Sequence, residues 1–474
     1  MNNYTINTFL SKIYIWGIIF EPQLYFIILS ATVLGFNLTL AKIFEILLIL
    51  FIVIFSFLSL IEKGKFKLKL PEINSIIYGF IYLFILSMMA SFLIGYFYDG
   101  FDINLSNYQR GDFYNYQLDQ KIIMDGLMGI FTISFYFLFF SIFSISFLDT
   151  SERLKYFFDR FKKLFLFFLI VGFIDYMMAV VTTSDIDLLS RHLFDEVNVG
   201  ERFHSTGGEP RHAAIYLFFG LAVFNLESFV FKKKNNKLLF FTTLLAVLMT
   251  QSVTVLIALF IYIFLMFFIF IFELGIKRLV QFTVVMTVSL LIGFIVFNNA
   301  VFFSTYIDRL PILIRYMEAF SDIWFILESE AELPYYIKVQ LGEVFPIYDL
   351  IKMIQNGEFV RVIFGSGPGS AALNNYSYID ILHAYGNPNA QGIRLLYESG
   401  ILGSCIYLLA FFFPVGMLTS SYDKQTRLSF YNYMALIVAC CLALRSPVAY
   451  IYLGLFIASF KVIANEKLHK GQLE

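Results

Sequence analysis

The chain has 474 residues, of which 59% are hydrophobic and only 15% are charged, and its formal net charge is −1. Its mean hydropathy is +0.76, whereas soluble domains are about half apolar and about a quarter charged. This composition excludes an ordinary soluble globular protein and predicts a polytopic membrane protein, while the net charge identifies no partner. The three cysteines, Cys405, Cys440 and Cys441, fall in apolar runs, so the sequence offers neither a disulfide framework nor a zinc site.

Apolar segments of the length that a membrane span requires recur along the whole chain. A helix needs roughly 20 apolar residues to cross the hydrocarbon core. The sequence predicts about twelve such segments, at 11–33, 39–60, 75–97, 122–147, 164–182, 212–231, 238–250, 252–272, 279–298, 395–418, 429–443 and 447–464. We predict two spans within 238–272, because one helix there would be about 50 Å long, too long for a single crossing. The predicted fold class is therefore all-α.

Lysine and arginine clusters orient the predicted spans. All of them fall on one side of a twelve-span arrangement, and that side is predicted to be cytoplasmic. The clusters are Lys63 to Lys69, Arg153 to Lys163, Lys232 to Lys237, Lys277 with Arg278, Lys424 with Arg427, and the C-terminal Lys467 and Lys470. Both termini are then cytoplasmic. Residues 98–121, 183–211 and 299–394 lie on the outer side.

The orientation divides the chain into three parts. Residues 1–298 are predicted to form a bundle of about nine transmembrane helices. Residues 299–394 form a large outer loop, and residues 395–474 form three further transmembrane helices and a cytoplasmic tail. The loop is predicted to be partly helical, because apolar residues at helical spacing precede Gly357 in "PIYDLIKMIQNG", namely Ile347, Leu350, Ile351 and Ile354. Such an amphipathic helix can lie on the membrane or cap a cavity.

The stretch "RFHSTGGEPRHAAIYL" is unusually rich in charge for this chain. Glu209 followed by Pro210 predicts a helix start, which places Arg211 in the first turn. Unpaired N–H groups, the helix dipole and a guanidinium fork together favour an anion at this end, and Arg202 can bring a second guanidinium. An ordinary interfacial loop, with charges paired to each other or to lipid headgroups, explains the stretch equally well.

Two further stretches of the outer loop carry candidate binding residues. In "FGSGPGSAALNN", Gly365, Gly367 and Gly369 can turn their N–H groups toward one anion, although a tight turn between helices explains them too. In "DILHAYGNPNAQGIRLLYESGILG", polar residues precede the span from 395, and His383 is a candidate base or donor. The other polar residues are Asn387, Asn389 and Arg394.

Together these three stretches resemble the O-antigen polymerase (Wzy) and O-antigen ligase superfamily, which are membrane glycosyltransferases of the GT-C type. "RFHSTGGEPRHAAIYL" is similar to the family's arginine, glycine and Glu-Pro pattern, "VIFGSGPGS" to its glycine turn, and "NAQGIRLLYESGILG" to its "HNxxLxxxxExGxxG" segment. The resemblance covers roughly residues 200–405 in the family's order.

The chain departs from the family pattern at two points. Asn389 and Ala390 stand where many relatives carry His-Asn, so His383, six residues earlier, is the candidate substitute. Val253 follows Ser252 where many relatives have Ser-Arg. The missing guanidinium is assigned to Arg309 and Arg315, which can instead pair with acidic neighbours, namely Asp308, Glu318 and Asp322.

The resemblance implies an inverting, metal-independent polymerase that joins undecaprenyl-pyrophosphate-linked repeat units at the periplasmic face of a bacterial inner membrane, without a cofactor. "SDIDLL" contains an Asp-x-Asp at Asp185 and Asp187, which we interpret as a chance match rather than a metal site. The implied catalytic residues are Glu209, His383 and Arg211, and the implied pyrophosphate- or sugar-binding residues are Arg202, Arg309, Arg315, Asn389, Arg394 and Gly367.

The implied partners are the lipid-linked oligosaccharide, membrane lipids and, as a candidate, a chain-length regulator protein, with no nucleic acid. Two alternatives remain open. A ligase would transfer the polymer to lipid A core. A flippase would need ionisable groups distributed through the spans, whereas the sequence gathers them at one outer surface.

Overall fold

The computed structural model describes residues 3–20, 31–33, 36–38, 40–63, 75–98, 127, 130, 131, 134, 142–182, 203, 205, 210–231, 237–250, 252–274, 344–368, 370–371, 391–443 and 449–471. These residues are helical apart from turns and a short β-hairpin. The helices are α1 (Asn3–Phe20), α2 (Leu40–Lys63), α3 (Ser75–Tyr98), α4 (Ser151–Thr182), α5 (Pro210–Val230), α6 (Lys237–Met249), α7 (Val253–Leu274), α8 (Val344–Gln355), α9 (Phe359–Phe364), α10 (Gln391–Thr419), α11 (Lys424–Ala443) and α12 (Ala449–Gly471).

Three described helices are long and apolar enough to cross a membrane. They are His212–Val230 of α5, Gln391–Thr419 of α10 and Thr426–Ala443 of α11. Shorter apolar helices include parts of α2, α3, α6, α7 and α12. The helical fold and the membrane-protein composition are thus supported, whereas the number of about twelve spans and the outer loop stay predictions. The predicted spans at 279–298 and over most of 122–147 lie outside the described residues.

The prediction of one span over 11–33 is wrong. Helix α1 covers Asn3–Phe20, and strand β1 (Ala31–Val33) pairs antiparallel with β2 (Phe36–Leu38). The physical reason lies in Pro22, which has no N–H to donate and disfavours helical geometry in the residue before it. An apolar run interrupted in this way does not continue as one helix.

The prediction that the basic residues from Arg153 to Lys163 occupy a loop is also wrong. Helix α4 already begins at Ser151, where the N–H of Arg153 donates to the Thr150 hydroxyl (3.4 Å) and its guanidinium pairs with Asp149 (2.7 Å). With 32 residues, α4 is about 48 Å long. It therefore exceeds the hydrocarbon thickness of about 30 Å, and its basic first turns are expected to project beyond it.

The predicted helix break within 238–272 is confirmed. Helix α6 ends at Met249 and α7 begins at Val253. The Thr250 hydroxyl donates to the carbonyl of Val247 (2.7 Å), which satisfies an acceptor at the end of α6. Because α6 has 13 residues, it is about 20 Å long and too short to cross the core alone. Two spans here remain a prediction.

An aromatic seam holds α4 against α5. Phe161, Phe165 and Phe168 follow one face of α4, and all three pack around Tyr216 of α5 with ring centroids 4.7–6.0 Å apart. Gly220 of α5 leaves the space that the ring of Phe165 fills. Helix α5 also packs against α11, α12 and α6, so it lies near the centre of the buried core.

Candidate functional site

A glycine-containing turn follows α9 and lies between α3 and α10. The N–H of Ser366 donates to the carbonyl of Tyr397 (3.0 Å), and the N–H of Gly367 donates to the carbonyl of Glu398 (3.0 Å). The buried Ser91 hydroxyl of α3 donates to the same Glu398 carbonyl and accepts the N–H of Gly367 (3.1 Å). These five residues, which we call the α3–α10 junction, connect the end of α3 to the first part of α10.

Glycine permits the close backbone contacts at this junction. Gly400 has a φ of +65° and interrupts α10, and a Cβ there would overlap a backbone carbonyl of α9. Gly365 has a φ of +88°, and a Cβ there would overlap the carbonyl of Glu398. A Cβ on Gly95 of α3 would overlap the carbonyl of Ser366. Positive φ is strained for residues that carry a Cβ, so the junction requires glycine at Gly365 and Gly400. At Gly95 the backbone overlap alone requires it.

Arg394 is held in place at the start of α10. Its Nε donates to Oε1 of Glu398 at 2.8 Å, and the two side chains are only 14% and 4% exposed. A cation in the first turn of a helix opposes the helix dipole, so the dipole does not account for an arginine at this position. The carboxylate of Glu398 offsets the charge of Arg394 and occupies only its Nε. The two terminal Nη groups make no hydrogen bond to any residue in the described ranges, and they can donate to an anion as a fork.

A second polar cluster joins α8, α9 and α10. The guanidinium of Arg361 pairs with Glu358 (3.0 Å) and donates to the Ser366 hydroxyl (3.2 Å). The Tyr397 hydroxyl donates to Asp349 of α8 (3.3 Å). These bonds fix α8 and α9 relative to the start of α10, so the amphipathic helix α8 is packed against the helix that carries Arg394.

The predicted helix over "PIYDLIKMIQ" and its glycine stop are confirmed. Gly357 has a φ of +78°, its N–H donates to the carbonyl of Ile354 (3.2 Å), and the N–H of Glu358 donates to that of Met353 (2.8 Å). This pairing is the Schellman arrangement of a helix C-terminus. Along the predicted apolar face Leu350 is buried, Ile347 and Ile351 are half-buried, and Ile354 is exposed.

The charged stretch before α5 is confirmed as a helix start at Pro210. Upstream of it the chain enters the bundle. Phe203 is fully buried and donates its N–H to the carbonyl of Met249 (3.0 Å), and the Ser205 hydroxyl donates to the carbonyl of Phe168 (2.7 Å). Phe203 and Ser205 thus pack on buried faces of α4 and α6. The charged Arg202 and Glu209 lie outside the described residues, so the anion-site and interfacial-loop interpretations both stay predictions.

The anion-nest interpretation of the glycine turn finds no support at residues 365–367. The three amides donate to protein carbonyls, those of Arg361 (2.7 Å), Tyr397 and Glu398. The tight-turn alternative accounts for them. Gly367 therefore acts through packing in this structure, and Gly369 lies outside the described residues.

Most of the predicted site residues cannot be placed. Arg394 and Gly367 are described, and Arg211 is described as the second residue of α5 but not in its side chain. The residues that lie outside the described part of the chain are Arg202, Glu209, Arg309, Arg315, His383 and Asn389. Convergence of their side chains on one pocket stays a prediction.

The sequence interpretation missed the contribution of α3. Ser91 and Gly95 stand four residues apart in an apolar helix, a spacing of small residues that is typical of close helix contacts in membranes. That signal was available, but it does not identify a partner more than 300 residues away. Within the described residues, no group of three or more His, Cys, Asp or Glu side chains could hold a metal ion. Asp185 and Asp187 lie outside them.

No protein-family model matches the chain, and no curated protein sequence matches it either.

Proposed function

We propose that this protein is a membrane glycosyltransferase that lengthens polysaccharide from undecaprenyl-pyrophosphate-linked repeat units at the periplasmic face of a bacterial inner membrane. One observation carries the proposal. Arg394 lies nearly buried in the first turn of an apolar helix, Glu398 fixes it through Nε, and its two outer nitrogens are available to an anion. A diphosphate linked to a membrane lipid fits a guanidinium fork at the end of an apolar helix.

The reaction needs no nucleotide, because the donor bond is already activated. The acceptor hydroxyl oxygen bonds to the anomeric carbon of the donor sugar, with inversion. The bond between that carbon and the pyrophosphate oxygen breaks, and undecaprenyl pyrophosphate leaves with the electron pair. Arg394 stabilises the charge that develops on this leaving group, a role in which one fixed donor contributes about 3–4 kcal/mol.

The other residues of the site are proposed from the sequence resemblance. Glu209 or His383 takes the proton of the acceptor hydroxyl. Further contacts to the pyrophosphate or the sugars are assigned to Arg202, Arg211, Arg309, Arg315 and Asn389. A chain-length regulator protein is the proposed protein partner.

The test is a lengthening reaction with purified protein and lipid-linked repeat units, with chelator and without nucleotide, and with products sized on a gel. We expect Arg394→Ala to lower the rate about 100-fold or more, the usual loss when a fixed donor to the developing charge is removed. We expect Arg394→Lys to recover little, because an ammonium lacks the planar fork. Lengthening by Arg394→Ala at the parent rate would contradict the proposal.

Two controls separate chemistry from folding. Arg153→Ala removes an arginine that is also 14% exposed and also paired with a carboxylate four residues away, so it should lengthen chains normally. Arg394→Ala combined with Glu398→Ala also removes the carboxylate that Arg394→Ala alone would leave without its ion pair. If this double variant is well folded and still inactive, the guanidinium itself is required.

A flippase is the second candidate, and one observation favours it. Glu45, Asp175 and Glu227 are buried within the apolar helices α2, α4 and α5, so ionisable groups are not confined to one surface as the sequence interpretation supposed. Buried acidic residues in spans often line transport paths. Reconstituted vesicles distinguish the activities, since a flippase moves single repeat units across the bilayer without lengthening them. A ligase would instead attach the polymer once, to lipid A core.

A further inference from the structure

Helix α9 turns three of its apolar side chains outward, while its one polar residue, Arg361, is bonded to protein groups. Phe359, Val360 and Ile363 are between 38% and 60% exposed and share one face at positions i, i+1 and i+4. On the opposite side Val362 is buried, and Arg361 is engaged with Glu358 and Ser366. A helix in water shows the reverse arrangement, with polar residues on the exposed face.

The exposed face of α9 continues onto α10. The backbone of Ile363 contacts Gly400, and the next two residues, Ile401 and Leu402, are 50% and 41% exposed. The same stripe of α10 runs on through exposed residues one and two turns further, Cys405 and Leu409. Because α10 is long and apolar enough to cross a membrane, its exposed stripe is expected to face lipid. The two exposed apolar faces are therefore adjacent where Ile363 meets Gly400.

The position of α9 along α3 and α10 agrees with contact between its exposed face and lipid. The turn after α9 packs on Gly95, the last residue of the apolar part of α3, and on Gly400 of α10. Gly400 is nine residues after the start of α10 at Gln391, or about 14 Å along the helix. Non-helical backbone at that depth is tolerated only where its polar groups are satisfied by protein. The amides of residues 365–367 all donate to protein carbonyls, as this condition requires.

We propose that α9 is embedded in the membrane and that its Phe359, Val360 and Ile363 face contacts the acyl chains of bilayer lipids. Helix α9 then enters the leaflet in which α3 ends and α10 begins, instead of standing in water as part of an outer loop. Arg361 is bonded to Ser366 of the α3–α10 junction while the outward face is solvated by hydrocarbon. This inference does not depend on the glycosyltransferase proposal.

Spin labels on single cysteines test the proposal in the full-length protein. Cys405→Ser removes the one exposed thiol among the three cysteines, and the buried Cys440 and Cys441 are retained. Labels at Phe359→Cys, Val360→Cys and Ile363→Cys are measured in vesicles of phosphatidylethanolamine and phosphatidylglycerol. The readout is the ratio of two collision rates of the spin label. One is its collision rate with oxygen, which concentrates in hydrocarbon, and the other is its collision rate with a water-soluble nickel chelate. The protein with its native Cys405 labelled serves as the lipid reference. Gln355→Cys, at the exposed last residue of α8, serves as the water reference.

We expect oxygen to dominate at the three α9 positions, as at Cys405, and nickel to dominate at Gln355. Nickel-dominated collisions on α9 would place the face in water and overturn the proposal. Low collision rates with both reagents would mean that another part of a protein covers the face, and would overturn it as well. Three independent positions keep the test valid if one variant fails to fold.

Discussion

At the scale of single residues, the junction between α3 and α10 depends on backbone groups that only glycine brings close enough. Gly400 interrupts α10 with a φ of +65°, and the carbonyls of Tyr397 and Glu398 accept bonds from a separate turn at this interruption. The neighbouring Arg394 therefore lies on a short helical segment that is fixed at its C-terminal end by these bonds. A rigid support of this kind is what positions a guanidinium before a reaction begins.

Gly400→Ala should destabilise the protein, because its backbone, with φ +65° and ψ −173°, lies in a region that essentially only glycine occupies and that costs other residues about 1–3 kcal/mol. The Cβ would also overlap the carbonyl of Ile363. The measurement is the midpoint of thermal unfolding in detergent. Gly79→Ala is the matched control, since Gly79 lies in α3 with nothing within 4 Å of its added Cβ. A helical Gly→Ala change there is expected to be neutral or slightly stabilising. Equal midpoints for the two variants would contradict this account of Gly400.

Some of these residues were predictable and others were not, for a physical reason. Pro210 and Gly357 act on the chain next to them, one starting a helix and the other ending it, so the sequence alone indicated both. The contact of Ser91 with Glu398 joins residues 307 positions apart, and no local pattern specifies it. The burial of Phe203 likewise depends on Gly172 of α4, where a Cβ would overlap the ring.

At the scale of elements, the seam between α4 and α5 relies on a large residue facing a glycine. The ring of Phe165 packs across Gly220, and its centroid lies 5.4 Å from that of Tyr216 and 5.0 Å from that of Phe224. The helical period of the aromatic residues predicts which face of α4 is buried. It does not predict α5 as the partner, because most helices of this chain carry phenylalanines.

Gly220→Ala should destabilise the seam by about 1–3 kcal/mol, since overpacking forces side chains or backbone to shift. Phe165→Leu in the same chain should recover part of that loss, because the smaller side chain makes room for the new methyl group. The test is a double-mutant cycle on unfolding midpoints, in which residues in contact show non-additive effects. Strictly additive effects would mean that the ring and the glycine do not meet.

At the scale of the whole molecule, the junction constrains how the chain crosses the membrane. The last part of α3 and the first part of α10 share hydrogen bonds through Ser91 and Glu398, so these two ends lie at the same side. The twelve-span prediction puts both on the outer side. The apolar runs predict the spans, and the basic clusters predict their orientation. The bounds of α1 and α4 differ from the predictions because Pro22 and Thr150 act locally.

Helix α10 offers the sharpest test of that orientation, because it has exposed residues near both ends. Asn356 follows α8, which packs against the beginning of α10, and Ser421 follows the end of α10. In the Cys405→Ser background, we expect a membrane-impermeant maleimide to label Asn356→Cys in intact cells, and Ser421→Cys only after the membrane is made permeable. The physical reason is that the basic residues after Ser421, Lys424 and Arg427, favour the cytoplasmic side. Labelling of both positions from outside would show that α10 does not cross, and labelling of Ser421 alone would reverse the predicted topology and move Arg394 to the cytoplasmic side.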